Sequence, residues 1–214
     1  MASESFEKIS DEKQVAIIQS GITEFSKKSY MDASTDEITK SCGISKGLLF
    51  HYFGNKKNFY LYCLEVALKR LLTDIPTPDQ TGFYEMIFSY ADEKFKLCEK
   101  YPSEMHLVNM AAREMSAKVI NEKNELIVRY MISTREKSQQ LMEKAIAALE
   151  LKEINIEKLK DAITIYLGAI INRYLERYKE NPKLFFEHSA EIKTEIKEYL
   201  DFMLNGVVKE GGSV

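Results

Sequence analysis

The sequence predicts an all-α fold. Its 214 residues include only 9 glycines and 4 prolines, fewer than average usage would give, so long uninterrupted helices are expected. Apolar residues make up 45% of the chain and recur at spacings of three and four, which is the period of an amphipathic helix. No segment alternates apolar and polar residues as a half-buried strand does. One large helical domain, or a small domain joined to a larger one, therefore fits the length and the pattern.

The first helices carry clear capping signals. The first is predicted over about residues 11–27, with an apolar stripe of Val15, Ile18, Ile22 and Phe25. The next begins at Ser34-Thr35-Asp36-Glu37, which fits a capping box: Ser34 caps the helix and Glu37 reaches back to the Ser34 backbone.

Two further helices follow at once. Gly43 is expected to end the second helix in the left-handed conformation. Ser45 is predicted to cap a third helix that runs through Phe53, and Asn55 to cap a fourth over about 56–73.

Proline and glycine mark a break after the fourth helix. The stretch 74–82 contains Pro76, Pro78 and Gly82, and it is the clearest linker in the chain. Beyond it, the spacing predicts helices at about 83–100, 102–115, 117–151, 156–180 and 182–209, with Pro102 and Pro182 in first turns. We therefore expect one domain over 1–55, a connecting helix over 56–73 and a helical domain over 74–214.

The second and third helices, joined by Cys42-Gly43-Ile44-Ser45, have the spacing of a helix-turn-helix. In that motif the later helix lies in the major groove of DNA, with its first residues at the base edges. Leu49 and Phe53 are expected to face the core. Lys46, Gly47 and Leu48 begin the helix and are, together with His51, the base-edge candidates. Between residues 27 and 57, six lysines against three acids give local positive charge, although the whole chain carries −3.

The segment Ser34–Phe59, STDEITKSCGISKGLLFHYFGNKKNF, resembles the tetracycline-repressor (TetR-like) family. The family pattern is a Thr, an Ile soon after it, Gly-(Val/Ile)-Ser, then Gly and an aromatic-rich helix ending in Phe, and a Lys after a short turn. The similarity covers roughly residues 14–62. It implies phosphate contacts by Thr35, Ser45, Tyr52 and Lys56. It also implies a dimeric repressor that binds a pseudo-palindromic DNA operator and is released by a small apolar or amphipathic effector.

Three residues depart from the family pattern. Ser29 stands where a glycine is usual, and a positive φ there would make the turn costlier. Thr39 replaces a common alanine, which a small site should tolerate. Phe50 replaces a common tyrosine, so a phosphate contact through that hydroxyl is absent.

The chain after residue 74 is expected to hold the effector site, because aromatic residues and methionines are dense there. Such residues are core by default, but Met-rich aromatic cavities also suit apolar ligands. The predicted effector-binding residues are Tyr90, Met110, Arg113, Tyr130 and Tyr166. Arg113 and Arg173 interrupt apolar stretches, and a buried arginine needs a partner. An acidic ligand and a salt bridge both remain open for them.

The last two helices carry broad apolar stripes. One stripe comprises Leu159, Ile163, Tyr166, Leu167, Ile170, Ile171 and Tyr174, and the other comprises Ile192, Ile196, Tyr199, Met203 and Val207. The resemblance implies that these helices pair across a two-fold axis. An intrachain core is the alternative, and different faces could serve both purposes.

Several function classes are not expected. No apolar run reaches 18 residues and the N-terminus lacks an apolar core of a signal peptide, so a cytoplasmic protein is predicted. The three histidines are scattered, and no Gly-rich phosphate loop, nucleophile elbow or metal-ligand spacing appears. We expect no enzyme activity, cofactor or metal. The alternative to a regulator is a non-regulatory helical interaction protein, or a small-molecule-binding protein without operator specificity.

Overall fold

The computed structural model describes residues 2–72, 75–76, 79–178, 181 and 183–205. Within these ranges the chain is all-α, as predicted, and no helix there has the length and apolar character to cross a membrane. The helices are α1 (Glu4–Glu7), α2 (Asp11–Lys27), α3 (Thr35–Cys42), α4 (Lys46–Phe53), α5 (Lys56–Leu72), α6 (Phe83–Lys100), α7 (Pro102–Arg113), α8 (Ile120–Ala147), α9 (Ile156–Arg177), α10 (Lys183–Glu187) and α11 (Ser189–Leu204).

The predicted helices mostly lie where the pattern placed them, with two differences. The short helix α1 was not predicted, since four residues show no period. The single helix predicted over 182–209 is wrong, because His188 adopts φ −94° and ψ 17° and separates α10 from α11. The His188 ring stacks on Tyr178, with ring centroids 5.5 Å apart, which holds the turn. Thr73, Pro78, Pro182 and the predicted end over 206–209, including Val207, lie outside the described residues.

The first of two compact units comprises Met1–Ile75 and Lys96–Arg135. Its core draws fully buried side chains from separate helices: Phe6 in α1, Ile22 in α2, Leu49 in α4, Phe59 in α5 and Leu107 in α7. The helix-turn-helix segment therefore shares its core with α7, which belongs to the predicted C-terminal domain. A domain boundary at residue 55 stays a prediction.

Helices α2 and α5 approach closely at Gly21. A Cβ atom at this position would lie 2.5 Å from Phe59 Cζ and 2.6 Å from Cys63 Sγ. Both distances are far below van der Waals contact, and both partners are completely buried. Glycine is therefore required for this packing, although it is a poor helix former.

A polar junction joins α2, α5 and α7 within the same unit. Arg70 in α5 pairs with Glu104 in α7, whose side chain is only 3% exposed. Arg70 Nη1 also lies 3.4 Å from Gln19 Oε1 in α2. Because an unpaired buried carboxylate is costly, this ion pair fixes the position of α7 against α5.

The second unit comprises Pro76–Phe95 and Glu136–Val214. Its centre is the packing of α9 against α11, where Ile163 and Ile170 are buried, as are Ile192, Ile196 and Leu200. Lys193 in α11 pairs with Asp92 in α6 at 2.8 Å. Part of each predicted apolar stripe therefore forms an intrachain core.

We expect Gly21→Ala to destabilise the protein by about 1–3 kcal/mol, because overpacking against Phe59 outweighs the roughly 1 kcal/mol that alanine contributes to a helix. Gly47→Ala is the matched control, since a Cβ there meets only Ser45 Oγ, at 3.9 Å. It should leave stability unchanged or raise it slightly. Urea unfolding followed by circular dichroism measures both, and a Gly21→Ala midpoint at or above the wild-type value would contradict the close packing.

Candidate nucleic-acid interface

The predicted reading surface comprises Lys46, Gly47, Leu48 and His51 of α4. Side-chain caps set the start of each helix around it. Ser34 Oγ accepts from the Glu37 N–H at 3.3 Å, and Ser45 Oγ accepts from the Leu48 N–H at 3.1 Å. Asn55 Oδ1 accepts from the Asn58 N–H at 2.9 Å. These three caps were all predicted from the sequence, and they fix where α3, α4 and α5 begin.

The other half of the predicted capping box is wrong. The Ser34 N–H donates to Glu24 Oε1 of α2, at 2.8 Å, and not to Glu37. Glu24 also accepts from Lys28 Nζ at 2.8 Å. Burial raises the pKa of Glu24, but the bonds from Lys28 and from the Ser34 backbone outweigh it and bring the pKa below its ordinary value. A tertiary contact thus replaces the local one.

The turn between α2 and α3 accommodates Ser29 without a positive φ. Among the described residues, only Gly43 and Gly54 have a positive φ. Ser29 Oγ donates to Asp32 Oδ2 at 2.6 Å, and the Ala33 N–H donates to the Ser29 carbonyl at 3.0 Å. The departure from the family glycine is therefore compensated by the serine hydroxyl. Gly43, at φ 69°, ends α3 as predicted.

Helix α4 presents one exposed face and one buried face. Leu49 and Phe53 are 0% and 2% exposed, as predicted, and they anchor the helix in the core. Lys46, Gly47, Leu48 and His51 all lie on the exposed surface. His51 lies four residues after Gly47 and three after Leu48, so it is a neighbour of each on the helix surface. Leu48 is an exposed apolar side chain, which suits contact with a thymine methyl group.

Two predicted phosphate contacts are largely buried. Tyr52 is 8% exposed and its ring lies edge-on to Phe6, with centroids 5.4 Å apart. Thr35, the first residue of α3, is also 8% exposed. Any contact with DNA by these residues is restricted to the small part of each that reaches the surface. Their assignment stays a prediction, as does that of Ser45.

The six lysines of this region are less free than the sequence suggests. Lys28 pairs with Glu24, Lys46 with Asp36 at 2.9 Å, and Lys57 with Glu122 of α8. Lys27 and Lys40 form no ion pair within the described part of the chain. Lys46 and Asp36 are both well exposed, so their pair is weak and Lys46 remains available to a base.

Lys56 lies at the start of α5 and points toward the α2–α3 turn. Its Nζ donates to the Met31 carbonyl at 3.2 Å and lies 4.9 Å from the centroid of the Tyr30 ring. Burial lowers the pKa of Lys56, and the nearby charge of Lys118 acts in the same direction. This lysine therefore ties α5 to the turn.

The N-terminal segment was missed by the sequence argument. Ser5 Oγ lies 3.1 Å from His51 Nε2, and the Ser3 N–H donates to the Tyr52 carbonyl at 2.9 Å. The only available signal was Phe6 and Ile9, two apolar residues three apart in a polar stretch. Such a short pattern does not distinguish a packed segment from a free terminus.

The predicted effector residues are divided between the two units. Met110, Arg113 and Tyr130 belong to the first unit, and Tyr90 and Tyr166 belong to the second. Met110 and Tyr130 are half-buried, Arg113 is exposed, and Tyr166 contacts Tyr199 with ring centroids 6.3 Å apart. Tyr90 is buried, and its hydroxyl is the one buried side-chain polar atom of the described residues without a hydrogen-bond partner.

The two arginines of the sequence argument differ. Arg173 forms a salt bridge with Glu195 of α11, which also accepts a hydrogen bond from the Tyr174 hydroxyl. Of the two alternatives, an acidic ligand and a salt bridge, the structure therefore has the salt bridge for Arg173. Arg113 ends α7 at the surface, and Arg173 is exposed as well, so the expectation of a buried arginine is wrong for both.

Comparison with known proteins agrees with this geometry. Residues 17–63, which span α3, α4 and parts of α2 and α5, match the model of the family described as "Bacterial regulatory proteins, tetR family". Over these residues the chain resembles that family. The family match lies on the helices that hold the reading face, and with the fold it supports a DNA-binding transcriptional regulator. No curated protein matches the chain.

Solved structures share the fold over nearly the whole length. A TetR-family regulator from Chloroflexus aurantiacus J-10-FL has a TM-score of 0.61 at 20% identity, covering 98% of this chain and 99% of its own. TylP, a TetR regulator from Streptomyces fradiae, has a TM-score of 0.58 at 17% identity, covering 92% and 87%. The flavonoid-responsive regulator FrrA has a TM-score of 0.59 at 19% identity, covering 93% and 98%. The TetR-like fold therefore extends beyond the family match.

We expect Lys46→Ala and Lys56→Ala to affect DNA binding differently. Lys46→Ala should relax base preference, because Lys46 lies at the first turn of α4. Lys56→Ala should weaken binding evenly across sequences and lower the slope of log affinity against log salt by about 1, as loss of one phosphate contact does.

Salt titrations of fluorescence anisotropy on specific and random duplexes measure both effects. Lys13→Ala is the control, because Lys13 is an exposed lysine near the start of α2, outside the reading surface. An unchanged salt slope in Lys56→Ala would show that Lys56 serves the α2–α3 turn and not a phosphate.

Proposed function

We propose that this protein is a transcriptional repressor that binds a pseudo-palindromic operator as a homodimer and is released by a small apolar or amphipathic effector. The observation that carries the DNA-binding part is the geometry of α4: Leu49 and Phe53 hold it in the core, and Lys46, Gly47, Leu48 and His51 face outward. A helix so held can enter the major groove without rearrangement of the core. Such a regulator would act in the cytoplasm, where bacterial DNA lies.

A dimer is proposed because one recognition helix covers only a few base pairs. Specific binding then requires two copies of α4 related by a two-fold axis. A candidate surface is the patch of exposed apolar side chains on α9 and α11, which comprises Ile165, Tyr166, Tyr199 and Phe202. Ile165 and Phe202 are 69% and 76% exposed, and contiguous exposed apolar side chains mark interaction surfaces.

The direct test is recovery of genomic DNA fragments by the purified protein, followed by footprinting of the recovered sites. We expect a pseudo-palindrome whose half-sites lie about 34–36 Å apart, or one further turn, on one face of the duplex. Even protection of unrelated sequences would indicate a basic surface without operator specificity. Absence of DNA binding would favour the helical interaction protein instead.

We expect Ile165→Glu and Phe202→Glu to convert the dimer to a monomer and to weaken operator binding, because each places a charge in the apolar patch. The folded unit should survive, since both side chains are exposed; Ile170, by contrast, is buried and a charge there would unfold the unit. Light scattering at micromolar concentration measures the mass. Met31→Glu, at a 54% exposed apolar residue of the first unit, is the control. A wild-type monomer under these conditions would refute the dimer.

The effector part of the proposal rests on Tyr90. A buried hydroxyl without a partner costs about 1–3 kcal/mol, so a ligand group that accepts its hydrogen bond would bind favourably. An apolar molecule with a carbonyl, ether or phenolic oxygen has this chemistry. FrrA, similar in fold, is described as flavonoid-responsive, so phenolic compounds are a sensible first set.

We expect Tyr90→Phe to raise or preserve the stability of the ligand-free protein and to weaken effector binding. Tyr84→Phe is the matched control on the same helix: its hydroxyl donates to Asp201, so its loss should lower stability and leave the effector response intact. Thermal shift with and without phenolic compounds, and release of labelled operator, measure the two effects. If Tyr90→Phe releases DNA at the wild-type effector concentration, the effector site lies elsewhere.

A further inference from the structure

We propose that the N-terminal segment, residues 2–9, is a specificity element of the reading surface, in which Ser5 occupies Nε2 of His51 and leaves Nδ1 to read DNA. The inference rests on the proposed DNA-binding function and adds to it residues outside the helix-turn-helix. It follows from three contacts between this segment and α4.

The first contact is an aromatic anchor. Phe6 is 0% exposed, and its ring lies 4.8 Å from Phe53, 5.4 Å from Tyr52 and 5.9 Å from Tyr62, measured between centroids. Phe53 and Tyr52 belong to the end of α4, and Tyr62 belongs to α5. The segment is therefore packed against the recognition helix itself.

The second contact is a backbone hydrogen bond. The last four carbonyl groups of a helix have no partner within it. In α4, which ends at Phe53, the Tyr52 carbonyl is one of these, and it accepts from the Ser3 N–H at 2.9 Å. This bond fixes the position of Ser3 relative to the last turn of α4.

The third contact is a chain of hydroxyl groups that ends on His51. Ser3 Oγ lies 2.7 Å from Ser5 Oγ, and Ser5 Oγ lies 3.1 Å from His51 Nε2. The imidazole is exposed, and Nδ1 has no partner in the part of the chain that the structure describes. His51 is a neighbour of Gly47 and of Leu48 on the helix surface, so its free edge belongs to the reading surface.

Occupation of one ring nitrogen determines what the other presents. A neutral imidazole has one donor and one acceptor, so a partner held on one nitrogen fixes the ring orientation and leaves the other nitrogen with the opposite role. A serine hydroxyl can donate or accept: where Ser5 donates to Nε2, Nδ1 carries the proton and meets DNA as a donor, and where Ser5 accepts from Nε2, Nδ1 meets DNA as an acceptor. As a donor Nδ1 fits N7 of a purine or O6 of guanine, and as an acceptor it fits the amino group of adenine or cytosine. Without Ser5 the ring can turn over and present either nitrogen, so discrimination at that base pair should fall.

Selection from a library of operators randomised at each base pair tests this, with wild type, Ser5→Ala, Ser5→Thr and Ser10→Ala. We expect Ser5→Ala to flatten the preference at one base pair per half-site and to lower operator affinity roughly threefold to tenfold, the loss of about one hydrogen bond. The salt slope should not change, because no phosphate contact is lost. Ser5→Thr keeps the hydroxyl and should restore the preference. Ser10 makes no side-chain cap bond, so Ser10→Ala should resemble wild type.

A double-mutant cycle distinguishes positioning from a general structural role. If Ser5 acts through His51, Ser5→Ala should have no further effect in a His51→Ala background. Nitrogen-15 spectra of the DNA-free full chain give a second readout: His51 should show one neutral tautomer in wild type and a mixture in Ser5→Ala.

The outcomes separate this inference from the proposed function. A wild type without base preference would overturn both. A wild type with clear preference, but a Ser5→Ala variant with the same preference and the same His51 tautomer, would overturn only the role of Ser5. That role would also be overturned if Ser5→Ala weakened binding evenly with an altered salt slope, or if its effect persisted in His51→Ala.

Discussion

The close approach of α2 and α5 at Gly21 is the constraint on which the position of α4, the proposed recognition helix, depends. Phe59 and Cys63 occupy the space where any larger residue would place its Cβ. Phe59 in turn lies 4.6 Å from Phe53, centroid to centroid, so the position of α5 sets the depth at which α4 is anchored. A shift of α2 away from α5 would open a gap in a completely buried core and loosen the recognition helix with it.

The polar surface around α4 is organised by contacts between helices more than by charge alone. Glu24 of α2 accepts a hydrogen bond from the Ser34 N–H, and Asp36 of α3 accepts one from Lys46. The Met31 carbonyl accepts one from Lys56. Each of these contacts crosses from one element to the next. These lysines are therefore held at defined positions by their partners. The net charge of the whole chain is −3, which also argues against a large basic surface that binds any polyanion.

Helix α5 is the element through which a change elsewhere in the first unit would reach the reading surface. Its N-terminal half carries Phe59, and its C-terminal half carries Arg70, which pairs with the buried Glu104 of α7. Displacement of α7 would either break that ion pair or move α5 with it. Since a buried carboxylate without its partner is costly, coupled movement is favoured. Within the first unit, a shift of α7 therefore has a physical route to the start of α5.

The sequence by itself determined what depends on local interactions. Caps and the 3.6-residue period placed α2 to α7 nearly to the residue, and the same period assigned Leu49 and Phe53 to the core. Tertiary structure alone decided the rest, because it depends on which side chains meet across the fold. Packing of Phe6 buried Tyr52 and brought Ser5 to His51, Glu24 displaced Glu37 from the Ser34 cap, and α7 joined the core of the first unit. The Glu24–Ser34 and Ser5–His51 contacts link residues 10 and 46 positions apart, and the Tyr30 N–H donates to Glu114, at the end of α7, across 84 positions. No local pattern records such contacts.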